Sequence, residues 1–214
     1  AEYTLLNVFP RDIADAHLSG TLNIDGLSSW ILKPTEIVQD SRFFLQNGLN
    51  MGETSSGQSV YAPPQDFESA LSLVFNVVLH SAKEVEKTQT LAYFNVFLAP
   101  FIKDADAARV KNALRLFILS INQHADVSLS LEPVMPDFLA AKPAVGLFGK
   151  QTGTYRDFNG ESQLLASVIL EIFAEESSLK PVFNPKIVLK ASPEAFVDEK
   201  AKAIMKSAHS LAAE

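Results

Sequence analysis

Long amphipathic segments separated by short single strands are the feature that most constrains the fold of this chain. Residues 110–121 carry one apolar stripe at the spacing of a helix, which Asp104 or Asp106 can cap, and residues 64–86 and 161–178 follow a similar pattern. The strand candidates are "DVSLSLE" at 126–132, which alternates with period two, and "NPKIVLKAS" at 184–192. Strands that enter singly between helices predict a helix-rich α/β fold with a small parallel or mixed sheet.

Proline and glycine mark the expected ends of the other helices. A first helix is expected over residues 11–20, where Pro10 precedes it and a glycine ends it. A second is expected to open at Pro34 and to end at Gly48. The segment 90–101 is apolar and aromatic on both faces, which predicts a buried helix that ends near its proline.

The remaining segments are expected to connect these elements. Residues 21–32 predict a strand or a loop, and residues 50–64, which are rich in glycine, serine and proline, predict a polar loop. Residues 133–160 contain three prolines and four glycines. They predict a long irregular connection with one short helix near Pro136, and connections of this length are often functional or form interfaces.

The composition is that of an ordinary globular protein. The chain has 214 residues, 47% of them hydrophobic and 20% charged, so we expect a single domain over residues 1–214. A net charge of -7 argues against a nucleic-acid partner, because such proteins concentrate lysine and arginine. We find neither a targeting signal nor the roughly 18 consecutive apolar residues of a transmembrane helix, so we expect a cytoplasmic protein with no membrane partner.

The residues that most often bind metals are scarce. The sequence has no cysteine, which excludes disulfides, thiolate metal sites, thiol nucleophiles and thiyl radicals formed on this chain. No two histidines have the three- or four-residue spacing of a helical metal site; they are His17, His80, His124 and His209. We therefore expect no metal ion and no cofactor.

Four stretches of the chain, in this order, resemble one enzyme family. They are "IADAHLSGTLNIDGLSSWILKPTEIVQDSRFFLQNGL", "FESALSLVFNVVLHSAKEVEKTQTLAYFNVFLAPFI", "LSLEPVMPDFLAAKPAVGLFGKQTGTYRDF", and "KPVFNPKIVLK" with "AHSLAAE". The family is that of the anaerobic, class III ribonucleotide reductases, which are glycyl-radical enzymes, and the resemblance covers almost the whole chain. It implies the first half of a ten-stranded α/β barrel built from two five-stranded halves, in which the active-site cysteine lies on a finger loop.

Six polar residues match the family and are the candidate binding positions: His17, Asp40, Arg42, Gln89, Asn95 and Gln123. Gln89 stands in the family's Gly-Gly-Gln phrase, of which the glycines are here Lys87 and Thr88. Gln123 matches a second family glutamine, although the glycine-rich turn beside it is missing. For His17 a structural role near a helix end is the alternative.

The positions at which the family does its chemistry are changed. Asn23, Asp25 and Gly26 stand where the family usually carries two histidines and an aspartate. Glu36 occupies the place of a cysteine, and Gln39 that of a histidine. Reduction in this family needs a thiyl radical, so the resemblance implies that the scaffold is kept and that this stretch of chain cannot reduce ribonucleotides alone.

Three acidic side chains from these stretches are a second candidate site. Asp25, Glu36 and Asp40 could converge, and paired carboxylates bind cations or perform acid-base chemistry. Glu36 and Asp40 are four residues apart in a predicted helix, which places them on one face. The alternatives are a solvated face or an ion pair between Arg42 and these acids.

Three functions stay open on the sequence. The first is a non-catalytic relative of the reductase barrel that acts in assembly or binding, by self-association or through a protein partner that covers an open sheet edge. The second is a fragment or split subunit of an active reductase, whose other part supplies the cysteine and the radical glycine. The third is a nucleotide-binding module without chemistry, with its pocket near His17, Gln89, Asn95 and Gln123.

Overall fold

The computed structural model describes residues 1–28, 32–54, 57–180 and 182–213, and gives no side-chain placement for residues 51–60. The helices are α1 (Glu2–Asn7), α2 (Arg11–Leu18), α3 (Arg42–Asn47), α4 (Phe67–Ser81), α5 (Phe94–Leu98), α6 (Ala107–His124), α7 (Asp137–Ala140), α8 (Asn159–Ser177) and α9 (Glu199–Ala213). The strands are β1 (Glu36–Gln39), β2 (Leu49–Thr54), β3 (Gly57–Tyr61), β4 (Thr88–Leu91), β5 (Val127–Leu131), β6 (Pro143–Val145), β7 (Gln151–Thr154) and β8 (Lys186–Leu189). None of the helices in these ranges is long and apolar enough to cross a membrane.

The main sheet contains four parallel strands in the order β1-β4-β5-β8. Helices α4, α6 and α8 lie in the connections between successive strands, as parallel pairing requires. The predicted helix-rich α/β fold with a small parallel sheet is therefore confirmed. The resemblance implies five strands in each half of the barrel, whereas the described residues form four in this sheet.

The longest helices lie where the sequence predicts them, because their capping residues and apolar stripes agree with the packing. Asp106 caps α6 by accepting a hydrogen bond from the backbone N–H of Arg109 at 3.0 Å. The stripe of α6 is buried from Val110 to Ile121. Asp66 and Ser69 form a reciprocal capping box at the start of α4. Segments 64–86, 110–121 and 161–178 therefore contain helices, as predicted.

Two predicted helices are wrong over much of their length. Residues 36–39 form strand β1, and only Arg42–Asn47 of the segment from Pro34 to Gly48 is helical. In segment 90–101, strand β4 ends at Leu91 before the short helix α5 begins. In both places parallel pairing, such as Val38 beside Thr90, outweighs the local preference for a helix.

The predicted polar loop at 50–64 is also wrong, since β2 and β3 pair there as an antiparallel hairpin. Gly48 precedes this hairpin with φ 76°, and a side chain on it would collide with the carbonyl oxygen of Tyr61. The connection 133–160 contains the predicted short helix, now α7, and a second small hairpin of β6 and β7. Residues 21–28 form turns, and residues 29–31 lie outside the described part.

The two faces of the main sheet have different surroundings, because successive side chains of a strand point to opposite faces. On the covered face, the core is formed by side chains such as Leu91, Val127, Leu129 and Leu131, packed with those of α4, α6 and α8. The other face, here called the open face, contributes no residue to that core; its side chains are Glu36, Val38, Thr88, Thr90, Ser128, Ser130, Lys186 and Val188. The central serines are buried, whereas the valines at the two edges are 74% and 42% exposed.

Candidate functional site

Polar side chains collect where the four parallel strands end. Asp40 follows β1, Tyr93 lies two residues beyond β4, Glu132 follows β5 and Lys190 follows β8. In open parallel sheets, ligands bind outside the carboxyl ends of the strands. This carboxyl edge is therefore the place in the fold where a small molecule would be expected.

Glu132, Lys190 and Tyr93 form the most perturbed group of this edge. The Glu132 side chain is only 7% exposed, and its Oε1 lies 3.1 Å from Nζ of Lys190. The same ammonium lies 4.0 Å from the centre of the Tyr93 ring, a cation–π contact. Burial raises the pKa of Glu132, and the charge and hydrogen bond of Lys190 oppose that rise only in part. Such an acid in a cleft is typical of a functional site but also occurs in structural ion pairs.

A cavity of about 350 Å³ lies against this group. Its walls include Tyr93, Glu132, Phe138 and Lys190. Tyr93 has φ 51°, a left-handed conformation that a large side chain adopts only when its surroundings hold it there. The volume is within the range of sites for small ligands.

Asp40 and Arg42, at the end of β1, pair with each other. Nε of Arg42 donates to both carboxylate oxygens of Asp40, at 2.9 and 3.0 Å, and the guanidinium lies 4.8 Å from the centre of the Phe97 ring. Partial burial pushes the pKa of Asp40 upward, but the hydrogen bonds and charge of Arg42 together outweigh it, so this pKa lies below its usual value. The pair stays partly exposed to solvent.

Gln89 is placed in the covered face rather than at the carboxyl edge. Its side chain is fully buried, and its Nε2 donates to the carbonyl oxygen of Val78 in α4 at 3.0 Å. Its Oε1 accepts a hydrogen bond from Nε2 of Gln39 in β1. These two glutamines therefore bridge β1, β4 and α4 inside the protein.

Asn95 also uses its whole amide within the fold. Its Nδ2 donates to the carbonyl oxygen of Glu132 at 2.8 Å and to Oγ of Ser162 at 2.9 Å. Its Oδ1 accepts from the backbone N–H of Glu132 at 2.9 Å. Asn95 thereby ties the end of β5 to α8 and fixes the backbone from which the Glu132 carboxylate projects.

The other two matched residues are His17 and Gln123. Nδ1 of His17 lies 3.2 Å from both the carbonyl oxygen of Leu22 and the backbone N–H of Ile24, a contact that holds the turn after α2. Gln123 is exposed near the end of α6, at the amino end of β5. The structure therefore does not gather His17, Gln89, Asn95 and Gln123 around one pocket.

The proposed cluster of three carboxylates is not formed. Glu36 begins β1 and Asp40 follows its end, so they are separated along an extended strand by about 13 Å rather than stacked on a helix. Asp25 accepts a hydrogen bond from its neighbour Asn23 at 2.8 Å, and Asp40 pairs with Arg42. Within 1–28, 32–54, 57–180 and 182–213, no three His, Asp or Glu side chains are arranged to hold a metal ion.

Sequence reasoning missed Glu132, Lys190 and Tyr93. Two of them have a signal in the sequence: Glu132 is the last residue of the strand predicted at 126–132, and Lys190 lies near the end of the strand predicted at 184–192. The rule that ligands bind at the carboxyl ends of parallel strands would have selected them. Tyr93 has no such signal, since its segment was predicted to be helical.

The family model described as "Anaerobic ribonucleoside-triphosphate reductase" matches residues 1–214. This chain belongs to that family. The resemblance stated from the sequence is therefore confirmed. A search of the curated proteins finds no match.

Solved structures of anaerobic ribonucleotide reductases share the fold. The Thermotoga maritima enzyme with glycerol in the active site matches with 13% identity and a TM-score of 0.65, over 87% of this chain and 33% of that one. The same enzyme in complex with dATP and CTP matches with 14% identity and a TM-score of 0.56, over 80% and 32%. A further anaerobic ribonucleotide reductase matches with 12% identity and a TM-score of 0.62, over 87% and 31%. The chain thus spans about a third of these reductases, and the expected match to part of their barrel is confirmed.

Proposed function

We propose that this chain is a non-catalytic wall of a reductase-type barrel that acts as a structural and binding element. The observation that carries the proposal is the use made of the family-matched amides. Gln89 and Asn95 are buried and make their hydrogen bonds within the chain. Gln89 bonds with Gln39 and Val78, and Asn95 bonds with Glu132 and Ser162. Buried amides that make their hydrogen bonds to the chain itself contribute to packing.

The changed chemistry supports the same function. No cysteine is present, and Glu36 stands at the position where the family commonly has one. The edge strands β1 and β8 each pair with a single neighbour in the described sheet, and exposed edges of this kind are usually covered by another segment or chain. Together these features support a role in which a protein partner covers the edges of the main sheet.

A matched pair of substitutions tests this function. Gln89→Met removes the buried bridge, whereas Gln123→Met makes the same change at an exposed family-matched position. We expect Gln89→Met to lower the free energy of unfolding by about 2 kcal/mol, because it leaves buried polar groups without partners. Gln123→Met should change it by less than about 0.5 kcal/mol. Urea unfolding followed by circular dichroism measures both.

Calorimetry with ribonucleoside triphosphates completes the test. A packing role predicts no binding heat at millimolar nucleotide for either variant or for the unchanged protein. Binding that Gln89→Met abolishes, while the protein remains folded and as stable as before, would contradict the proposal.

Nucleotide binding without chemistry is a second candidate, and the cavity beside Glu132 and Lys190 favours it. A titration in which Lys190→Ala removes the heat, and the exposed change Lys206→Ala does not, would support it. A third candidate, a part of an active reductase, is favoured by the share of about a third that the chain covers of its solved relatives. Purification from the native cells tests it. The purified protein should either be part of a longer polypeptide that has the missing cysteine or be bound to a second polypeptide that has it.

A further inference from the structure

The cavity at the carboxyl edge has the surroundings of a site for a cation. Glu132, Asp137 and Glu194 line it. Lys190 is the one basic side chain among the lining residues, all of which belong to the described part of the chain. An anion such as a triphosphate would meet three carboxylates there, whereas a cation is attracted by them. The walls lie between residues 93 and 194, so the cavity does not depend on a free edge of the main sheet.

Lys190 shows where the positive group of a ligand would lie. Its side chain is a butylammonium, and the ammonium contacts both the Tyr93 ring, 4.0 Å from the ring centre, and Oε1 of Glu132, at 3.1 Å. Aromatic faces recognise ligand ammonium ions by the same cation–π attraction. The position is therefore suited to an ammonium group, whichever molecule carries it.

The Tyr93 ring and the Glu132 carboxylate are held in place, whereas the Lys190 ammonium can leave. The ring of Phe138 lies edge-on to that of Tyr93, with the two centres 5.6 Å apart. The Glu132 side chain is 7% exposed, but that of Lys190 is 44% exposed. The backbone N–H of Lys190 donates to the carbonyl oxygen of Leu131 at 3.0 Å, so the main chain stays fixed while the side chain can turn toward solvent.

Two further acids favour a second positive charge on the ligand. Asp137, in α7, and Glu194, in the 3-10 turn Pro193–Phe196, are exposed residues of the cavity lining. A ligand with one ammonium uses Glu132 alone, whereas a ligand with two, joined by a short alkyl chain, is also attracted by these acids. The lining residues 134–136 are a valine, a methionine and a proline, against which an alkyl chain can pack.

Building on the binding role proposed above, we propose that this cavity binds a small aliphatic diamine. One ammonium takes the position of the Lys190 ammonium, which turns toward solvent. The other is attracted by Asp137 and Glu194. Because Lys190 is attached to the chain and competes for the same position, the ligand must be concentrated enough to displace it.

Calorimetry with diaminobutane and butylamine at neutral pH tests the ligand class. For the unchanged chain we expect roughly millimolar binding of diaminobutane and at least about tenfold weaker binding of butylamine, which lacks the second ammonium. Lys190→Ala removes the internal competitor and should bind diaminobutane at least about tenfold more tightly. Lys206→Ala, an exposed change on α9, should bind it as the unchanged chain does.

Substitutions of the acids test the two ammonium positions separately. Glu132→Gln removes the carboxylate that both amines need and should abolish the binding of both. Asp137→Asn combined with Glu194→Gln should lower the affinity for diaminobutane to that for butylamine and leave butylamine unchanged. If circular dichroism shows that Glu132→Gln does not fold, this double variant decides alone, because both of its positions are exposed.

Three results would overturn the proposal. They are absence of heat with both the unchanged chain and Lys190→Ala, equal binding of the two amines by the unchanged chain, and binding that survives in Glu132→Gln. Each of them leaves the packing roles of Gln89 and Asn95, and so the proposed function, in place. Nucleotide binding that Gln89→Met abolishes would instead overturn the proposed function, whether or not the amines bind.

Discussion

The covered face of the sheet and its carboxyl edge differ in how their buried polar groups are partnered. On the covered side, Gln39, Gln89 and Asn95 are buried, and hydrogen bonds to the chain itself engage their amides. At the edge, the buried Oε1 of Glu132 lies 3.1 Å from the ammonium of Lys190, whose side chain is itself partly exposed. Oγ of Ser130, two residues before it, is likewise buried.

The difference separates stability from binding capacity. A satisfied buried network rigidifies a fold, whereas a partly satisfied charge is costly and is kept where it does something else. Removing the covered amides should therefore lower the free energy of unfolding strongly. Neutralising the edge charges should lower it little, or even raise it.

The largest effect is expected at Asn95. Asn95→Leu removes the acceptor for the Glu132 N–H and the donor to its carbonyl oxygen, both of them buried. Because each orphaned group costs about 1–3 kcal/mol, the free energy of unfolding should fall by roughly 3 kcal/mol. Asn122→Leu, the same change at an exposed position of α6, should cost less than about 0.5 kcal/mol. Equal losses in urea unfolding would remove the distinction between the two regions.

The elements on the covered side that follow from sequence are those with long local patterns. The stripe of α6, with the cap at Asp106, and the alternation of β5 specify their own structure. In β1 and β4, by contrast, four residues pair with a strand some fifty positions away. Contacts of this range decide between helix and strand there, and the segment around Pro34 shows the result.

The carboxyl edge could be predicted only in part for the same reason. Glu132 and Lys190 follow recognisable strands, but their pairing depends on β5 and β8 being neighbours, which the sequence does not state. The family-matched positions did not identify the binding residues for a different reason. A match at Gln89 says that an amide is present, whereas its hydrogen bond to Val78 shows that the amide is used in packing.

A smaller effect is expected when the edge ion pair is broken. Lys190→Met keeps an unbranched side chain over the Tyr93 ring but leaves Glu132 without its cation. Since a buried carboxyl can take up a proton instead of staying charged, the loss at neutral pH should be only about 1–2 kcal/mol. Lys202→Met, which removes an exposed pair with Glu199, should be nearly neutral. A loss at Lys190 as large as that at Asn95 would mean that the edge is a structural network after all.

The smallest effects are opposite pH dependences at the two acids of the edge. The pKa of Glu132 is raised in the folded protein, so its neutral form stabilises the fold at low pH and this contribution is lost as the pH rises through that pKa. The pKa of Asp40 is lowered, so its contribution is present above its unfolded pKa and is lost as the pH falls through the folded one.

Urea unfolding from acid to neutral pH therefore separates Glu132→Gln from Asp40→Asn. Relative to the unchanged chain, Glu132→Gln should gain stability as the pH rises, because glutamine avoids the buried charge. Asp40→Asn should lose stability over the same range, by under about 1 kcal/mol, since its pair with Arg42 is half exposed. Parallel pH profiles for the two variants would show that burial does not control the pKa of Glu132. The carboxyl edge would then no longer be supported as a binding site.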